Sequence, residues 1–514
     1  MDQIIELLKY LLPQITKFDG AFFCLLILSM YVLLPLKIKG QLGELFDLPY
    51  QHIATVLLII FILISVSYLV YPNYIDHLES TVAVLGSVMQ RGDNLYPIPD
   101  PYPYHGVLYG PALAEIQFIF QGVGLPTIIA SKIPGILAFS ISILILFRLN
   151  KTLLSRGYLL YLLPFGLMLF WNRADPFLLL IVSLSLLLGK DLVGNKYLPL
   201  LFGFFAGAAS ALKLHGAVYL FAVYLAVVFP LSVSISSVLL FSIFSVLSFL
   251  AFFIPQNVSI NTFMSYIIFA SVHGLSLRIW LNNFIYIVFL FFPILVLWRS
   301  AKLELSACLN LILILGIELF ITVLASKPGS GIHHLLPFIP INAFIILKIG
   351  TKAECDENLI KLLYVSLIIP SLVTALTLVV PMLNSWRLFD KAQKEVVQFE
   401  KKYPGIVMGL ADKNSYQLSF LRVVLRNEQI DYPAFMDLQY SGVSDNPFAE
   451  NLNKCRIKNI LLPKKGIPFS MTTNYSHEPL FSNKVREAFK EKFTRVESGE
   501  YFMVYMCSSE ARHQ

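Results

Sequence analysis

Charge is scarce in this chain. Asp, Glu, Lys and Arg make up 14% of its 514 residues, where a soluble protein carries roughly a quarter. That shortage, with 57% hydrophobic residues and a mean hydropathy of +0.71, excludes a soluble globular enzyme and a disordered chain alike. Cysteine is scarce too. The five present form no CxxC pair and no metal-ligand spacing, which speaks against a zinc ribbon or a dithiol redox centre. Cys24 and Cys308 lie in apolar runs and Cys355 in a polar loop. Cys455 and Cys507 stay open between a disulfide, if the tail is extracytoplasmic, and two unpaired thiols. The formal charge of +7 is spread over loops and gathers into no basic stripe, so no nucleic-acid partner is expected. No internal repeat, low-complexity tract or small-residue signal cleavage site stands out. Residues 1–20 read instead as an amphipathic interfacial segment.

What is present is a series of long apolar runs. A bilayer core takes about 20 apolar residues per helix, fewer where protein shelters the helix. By that measure an α-helical polytopic membrane protein of about 12 spans is expected, at 21–36, 52–71, 126–147, 157–171, 175–189, 197–212, 217–230, 234–254, 281–298, 305–326, 335–350 and 361–381. Alternate loops carry eleven and five Lys or Arg residues, and the richer set is taken as cytoplasmic. The loop 72–111, the short loops near 173, 213 and 327, the segment 255–280 and the tail then face outward. The transmembrane domain is expected over 21–381. Residues 382–514 have no spanning run and mix helix-like with strand-like stretches, so they read as a small soluble α/β domain.

The polar interruptions carry the functional signal. In the first external loop Asp76 and Glu79 stand three apart with His77 between them, one helical face for two carboxylates if the segment is helical. Such a pair suits proton abstraction from a hydroxyl or ligation of a cation. Asp-x-x-Glu also has the spacing of a helix capping box, a purely structural use. The loop continues through a Gly-x-x-Leu-Tyr-Pro turn at Gly92–Pro97 to Tyr109-Gly110-Pro111, and its tyrosines and prolines can shape an acceptor groove. The remaining outward loops hold cations where the charge bias disfavours them. Arg173 has Asp175 as a natural ion-pair partner, and Lys213 lies beside His215. Lys327 precedes a glycine-rich stretch ending His333-His334, and Arg278 lies near the end of the polar segment 255–280. Each alone also reads as a snorkelling cation or a plain loop; together they point to an anionic ligand, most simply a lipid phosphate. Glu318, inside an apolar run, reads as a buried neutral carboxyl bonded to a neighbouring helix or as a transport relay.

These pieces, in this order over residues 52–350, resemble the GT-C-type membrane glycosyltransferases, which include the protein O-mannosyltransferases and the bacterial aminoarabinose transferase. The resemblance rests on Asp76 to Glu79, Gly92–Pro97, Tyr109–Pro111, Arg173-x-Asp175 and the Gly-x-x-His-His-Leu-Leu-Pro stretch from Gly331. It implies a polyprenyl-phosphate sugar donor and a glycan, lipid or protein acceptor. It also implies a catalytic carboxylate at Asp76, with Glu79 as alternative or helper. Arg173, Lys213, His215, Lys327, His333 and His334 are implied for the donor phosphate. Many relatives carry adjacent Asp-Glu, whereas His77 and Leu78 intervene here. The tail resembles no family.

The chemistry agrees with that implication. A sugar phosphate already has a good leaving group, so the reaction lacks only a base for the acceptor hydroxyl and positive charge for the departing phosphate. Single displacement would invert the anomeric centre. The sequence identifies no cofactor; a divalent cation is compatible with Asp76, His77 and Glu79, although no ligand triad is evident. A bacterial inner membrane is expected, with site and tail facing the periplasm; the sequons at Asn257 and Asn474 would matter in an endoplasmic-reticulum membrane. Two other classes stay open. One is a lipid-linked-sugar flippase or secondary transporter using Glu318, and the other is a membrane scaffold whose tail recruits partners.

Overall fold

The structure, a computed structural model, describes residues 50–97, 109–229, 234–301, 303–350, 357–425, 432–473 and 477–508. The expected amphipathic segment 1–20, the span 21–36 and most of the Pro/Tyr-rich loop lie outside those residues. The chain is mainly helical with one small sheet. Among the described residues six helices are long and apolar enough to cross a membrane: His52–Val70, Thr127–Leu149, Leu277–Leu295, Leu305–Leu324, Ile332–Gly350 and Pro370–Lys402. Shorter apolar helices accompany them, among them Leu198–Leu212, Gly216–Val227 and Ile235–Ala251. This is an integral membrane protein.

The chain divides into two compact units. The first takes the described residues up to Ser67, with Gly135–Ala251 and Gly274–Pro381. Most of its helices follow the apolar runs, because backbone groups in a bilayer must be satisfied within the segment. One run behaves differently. The expected helix at 157–171 is a short α-helix, Leu153–Tyr158, followed by a 3-10 segment, Leu159–Leu169. Pro164 removes a backbone donor and Gly166 sits at φ +57°, so an α-helix cannot run through. The resulting bent segment ends at the Trp171–Ala174 turn, from which helix Asp175–Asp191 starts with Pro176 in its first turn.

The second unit takes Tyr68–Pro134, Phe252–His273 and Met382–Gln514. The residues around the acidic motif therefore belong to the same compact body as the tail. Helix Glu357–Lys402 runs unbroken for 46 residues despite Pro370 and Pro381. Four strands follow it: β1 (Val407–Met408), β2 (Asn459–Pro463), β3 (Phe493–Ser498) and β4 (Phe502–Cys507). Their order is β1-β2-β4-β3, with β1 parallel to β2 and the other pairs antiparallel. Glu395 binds the β3–β4 turn to the long helix by accepting the backbone N–H groups of Glu500, Tyr501 and Phe502. On the same side, Tyr74, Ala83, Val84 and Val88 enter one apolar core with Ala392, Val396, Phe420, Leu461 and Val504. A second core lies among Tyr432, Phe435, Phe448, Phe469, Phe481 and Phe489. Cys455 and Cys507 form a disulfide, with Cα atoms 5.8 Å apart.

Candidate active site

The acidic motif sits at the start of helix His77–Gln90. Asp76 is its N-cap, in extended conformation, and its Oδ1 accepts the Leu78 N–H at 3.0 Å. Glu79 closes a capping box: its Oε2 accepts the Asp76 N–H at 3.0 Å. The helix ends at Gln90, and the left-handed φ of +75° at Gly92 turns the chain so that the Asp93 N–H reaches the Val88 carbonyl. The two carboxylates differ sharply in surroundings. Glu79 is fully buried, and its other oxygen accepts the Tyr68 hydroxyl. The Asp76 side chain is 22% exposed, and its Oδ2 lies 3.5 Å from Nδ1 of His77, itself 35% exposed. The capping-box use of Asp-x-x-Glu is therefore real. Both carboxylates take part in it, Glu79 fully buried and Asp76 partly exposed.

The first unit builds a separate cluster, which brings together three of the cation-bearing loops. Asp175 is fully buried and accepts Lys213 Nζ at 2.6 Å and Trp171 Nε1 at 3.0 Å. Its ion-pair partner is thus Lys213, and not the neighbouring Arg173 expected from the sequence. The Arg173 guanidinium instead lies over the Trp171 ring, 4.0 Å from its centroid, with Nη2 3.4 Å from Nε2 of His333. His334 Nδ1 and His215 Nε2 are 3.0 Å apart, and the Tyr219 hydroxyl donates to the His334 carbonyl at 2.8 Å. Close backbone packing holds the turn: a Cβ on Gly135 would lie 2.5 Å from the Trp171 carbonyl oxygen. Electrostatics follow from burial. Burial pushes the Lys213 ammonium below its ordinary range, against the opposing pull of Asp175. Burial, and next the Lys213 charge, push His215 down to about 3, so it is a neutral imidazole at physiological pH. Asp175 and Lys213 balance one another in charge, and the Lys327 charge also acts on His215.

No family model matches this sequence, and no curated protein matches it. Structure comparison is informative where sequence is not. The chain superimposes on the crystal structure of ArnT from Cupriavidus metallidurans bound to undecaprenyl phosphate, with a TM-score of 0.52 at 12% identity. The match covers 88% of this chain and 97% of ArnT. The chain shares the fold of ArnT.

Within this fold the remaining candidates fall differently. Lys327 is half-buried in the turn before the short 3-10 segment Ile332–Leu335 that carries His333 and His334. Arg278 is exposed in the first turn of helix Leu277–Ala301 and takes no part in the cluster around Asp175 among the described residues. Tyr109 is buried, and its carbonyl accepts the Tyr96 hydroxyl at 2.8 Å. Glu318 is fully buried beside Asn342, yet neither carboxyl oxygen meets hydrogen-bond geometry with any described residue. Among the described residues no three His, Cys, Asp or Glu side chains gather to hold a metal.

Three participants escape a reading of the sequence. Trp171 joins Asp175 to Arg173, and a tryptophan at the end of an apolar run does not announce that. Arg422, fully buried, donates to the Thr81 hydroxyl at 3.2 Å and to the Ser419 carbonyl at 3.2 Å. Lys132, fully buried in helix Thr127–Leu149, was the most findable, since an unexplained charge inside an apolar span calls for a partner.

Proposed function

We propose that this chain transfers a sugar from a polyprenyl-phosphate donor to an extracytoplasmic acceptor hydroxyl, with inversion. Asp76 takes the acceptor proton as the acceptor oxygen bonds to the anomeric carbon. The bond from that carbon to the phosphate oxygen breaks in the same displacement, and polyprenyl phosphate departs as an anion. Arg173, with Lys327 and the His215, His333 and His334 group, supplies donor atoms and positive charge for that phosphate. Lys213 and Asp175 hold the cluster together. The donor class is carried over from ArnT, which shares this fold and was crystallised with undecaprenyl phosphate. Face and compartment rest on the loop charge bias and on the Cys455–Cys507 disulfide, a bond that persists in oxidising compartments.

The observation that carries the assignment of the base is the contrast within the acidic motif. Glu79 is fully buried, whereas the Asp76 side chain is partly exposed beside His77. A base must reach the hydroxyl it deprotonates. Asp76→Asn keeps the cap acceptor and removes the base. Full-length Asp76→Asn in membranes, given a panel of undecaprenyl-phosphate-linked radiolabelled hexoses and pentoses, should insert normally and transfer at least about 100-fold more slowly than wild type. Wild-type transfer rates in that variant would reject the reading. Arg173→Ala should weaken binding of undecaprenyl phosphate or slow transfer; unchanged affinity and rate would remove Arg173 from the phosphate site.

A further inference from the structure

We infer that Lys132 is a positioning residue for the acidic motif, acting on Asp76 through the turn that precedes it; this rests on the function proposed above. The turn from Tyr68 to Asp76 follows the end of helix Tyr50–Val70, where the last carbonyls have no partner within the helix. The Lys132 ammonium supplies the donors. It donates to the carbonyls of Tyr68 at 3.0 Å, Tyr71 at 2.7 Å and Asn73 at 2.7 Å, which uses all three of its N–H bonds. A cation at a helix C-terminus is also favoured by the helix dipole. The rings of Tyr68, Tyr71 and Tyr74 surround the same ammonium, with centroids 4.2, 5.4 and 5.3 Å away.

From this anchor a continuous path leads to the base. Lys132 holds the Tyr68 backbone, the Tyr68 hydroxyl donates to Glu79, and Glu79 accepts the Asp76 N–H. The Glu79 carboxylate also acts electrostatically on Lys132, so the buried charge has its counter-charge in the motif it supports. The far side of the turn is pinned by neighbouring contacts. The Tyr74 and Ser131 hydroxyls are 2.7 Å apart, and Asn73 Nδ2 donates to the Gln417 carbonyl at 3.0 Å. A methionine would fill the volume of Lys132 without burying a charge. What only a cation with three donors provides is a fixed path for residues 68–76, and hence a fixed place for the Asp76 carboxylate. Misplacing a reacting group by about 1 Å can cost about 100-fold in rate.

The test uses the full chain in detergent and compares wild type, Lys132→Met, Tyr68→Phe and Asp76→Asn. Tyr68→Phe removes only the hydroxyl that holds Glu79. Hydrogen–deuterium exchange over residues 74–80, read without substrate, reports the Asp76 and Leu78 amides. Transfer from the labelled donor panel reports kcat and KM. The expected result is exchange at least about tenfold faster in Lys132→Met and in Tyr68→Phe. Lys132→Met should also lose about 100-fold in kcat with little change in donor KM. Unchanged exchange in both variants overturns the inference, and if Lys132→Met does not fold, unchanged exchange in Tyr68→Phe alone overturns it. Faster exchange with wild-type kcat in Lys132→Met overturns it as well. Retained transfer by Asp76→Asn, with faster exchange in the other two, overturns the proposed base while leaving the hold of Lys132 on the turn intact.

Discussion

Breaking the Asp175–Lys213 pair should cost more than any single surface change, and the structure says by how much. Both side chains are almost wholly inaccessible and 2.6 Å apart. Asp175→Asn preserves an acceptor for Trp171 Nε1 but leaves the Lys213 ammonium buried beside the Arg173 charge. Removing one partner of a buried pair costs about 3–5 kcal/mol. At about 4 kcal/mol the folded-to-unfolded ratio falls by about a thousandfold. Asp175→Leu also orphans the Trp171 N–H, which adds about 1–3 kcal/mol. The double variant Asp175→Leu/Lys213→Met removes both charges together, and apolar replacement of a buried pair is often neutral. It should therefore recover most of the loss. Reversible unfolding in mixed detergent micelles, run as a double-mutant cycle, measures the coupling directly. A coupling below about 1 kcal/mol, the range of exposed ion pairs, would refute the claim that this pair organises the cluster.

Two other outcomes follow from the buried histidine and the disulfide. His215 is held neutral, with its folded-state pKa about 3, below the ordinary value of 6.5. The unfolded chain therefore gains a proton at this residue below about pH 6.5 that the folded chain refuses, and this one group lowers stability on acidification by at most about 1.4 kcal/mol per pH unit down to about pH 3. Thermal melting of the purified protein from pH 7.5 to 5 should show this slope, reduced by about one proton in His215→Gln; identical slopes would contradict it. Reduction of Cys455–Cys507, which closes a loop of 52 residues, should destabilise the body containing Met382–Gln514 by about 4 kcal/mol on the loop-entropy scale. Limited proteolysis with and without reductant reports it, and equal cleavage rates would show that the bond adds little.

The parts of the fold that were legible are those a bilayer dictates. An apolar run of sufficient length has few alternatives to a helix, so most apolar runs from 52 onward are helical close to their expected ranges, six of them long enough to cross a membrane among the described residues. The bend at Pro164–Gly166 was harder, because surrounding hydrophobicity masks it. β3 is also poorly marked: Phe493–Ser498 is mostly exposed, and its Thr, Arg and Glu read as loop. In the acidic motif, position and cap geometry were both visible, since a capping box is a local pattern. Long-range partners were not. Arg173 is two residues from Asp175 and invites pairing, but residues two apart at a helix start do not face one another. The carboxylate finds Lys213, 38 positions away. Lys132 binds backbone carbonyls, which every residue possesses and no motif advertises. The cysteine pairing needed coordinates, because only Cα atoms within about 7 Å can be bridged.

Glu79 shows what the double duty of a short motif means for genetics. Its side chain braces the first turn of a helix and is sealed from water, so replacing it damages the scaffold whatever part it plays in turnover. A deep mutational scan that scores growth alone would rank positions 76 and 79 as equally intolerant. Scoring abundance alongside growth would separate them, with losses at 79 tracking protein level and losses at 76 appearing in molecules that accumulate normally.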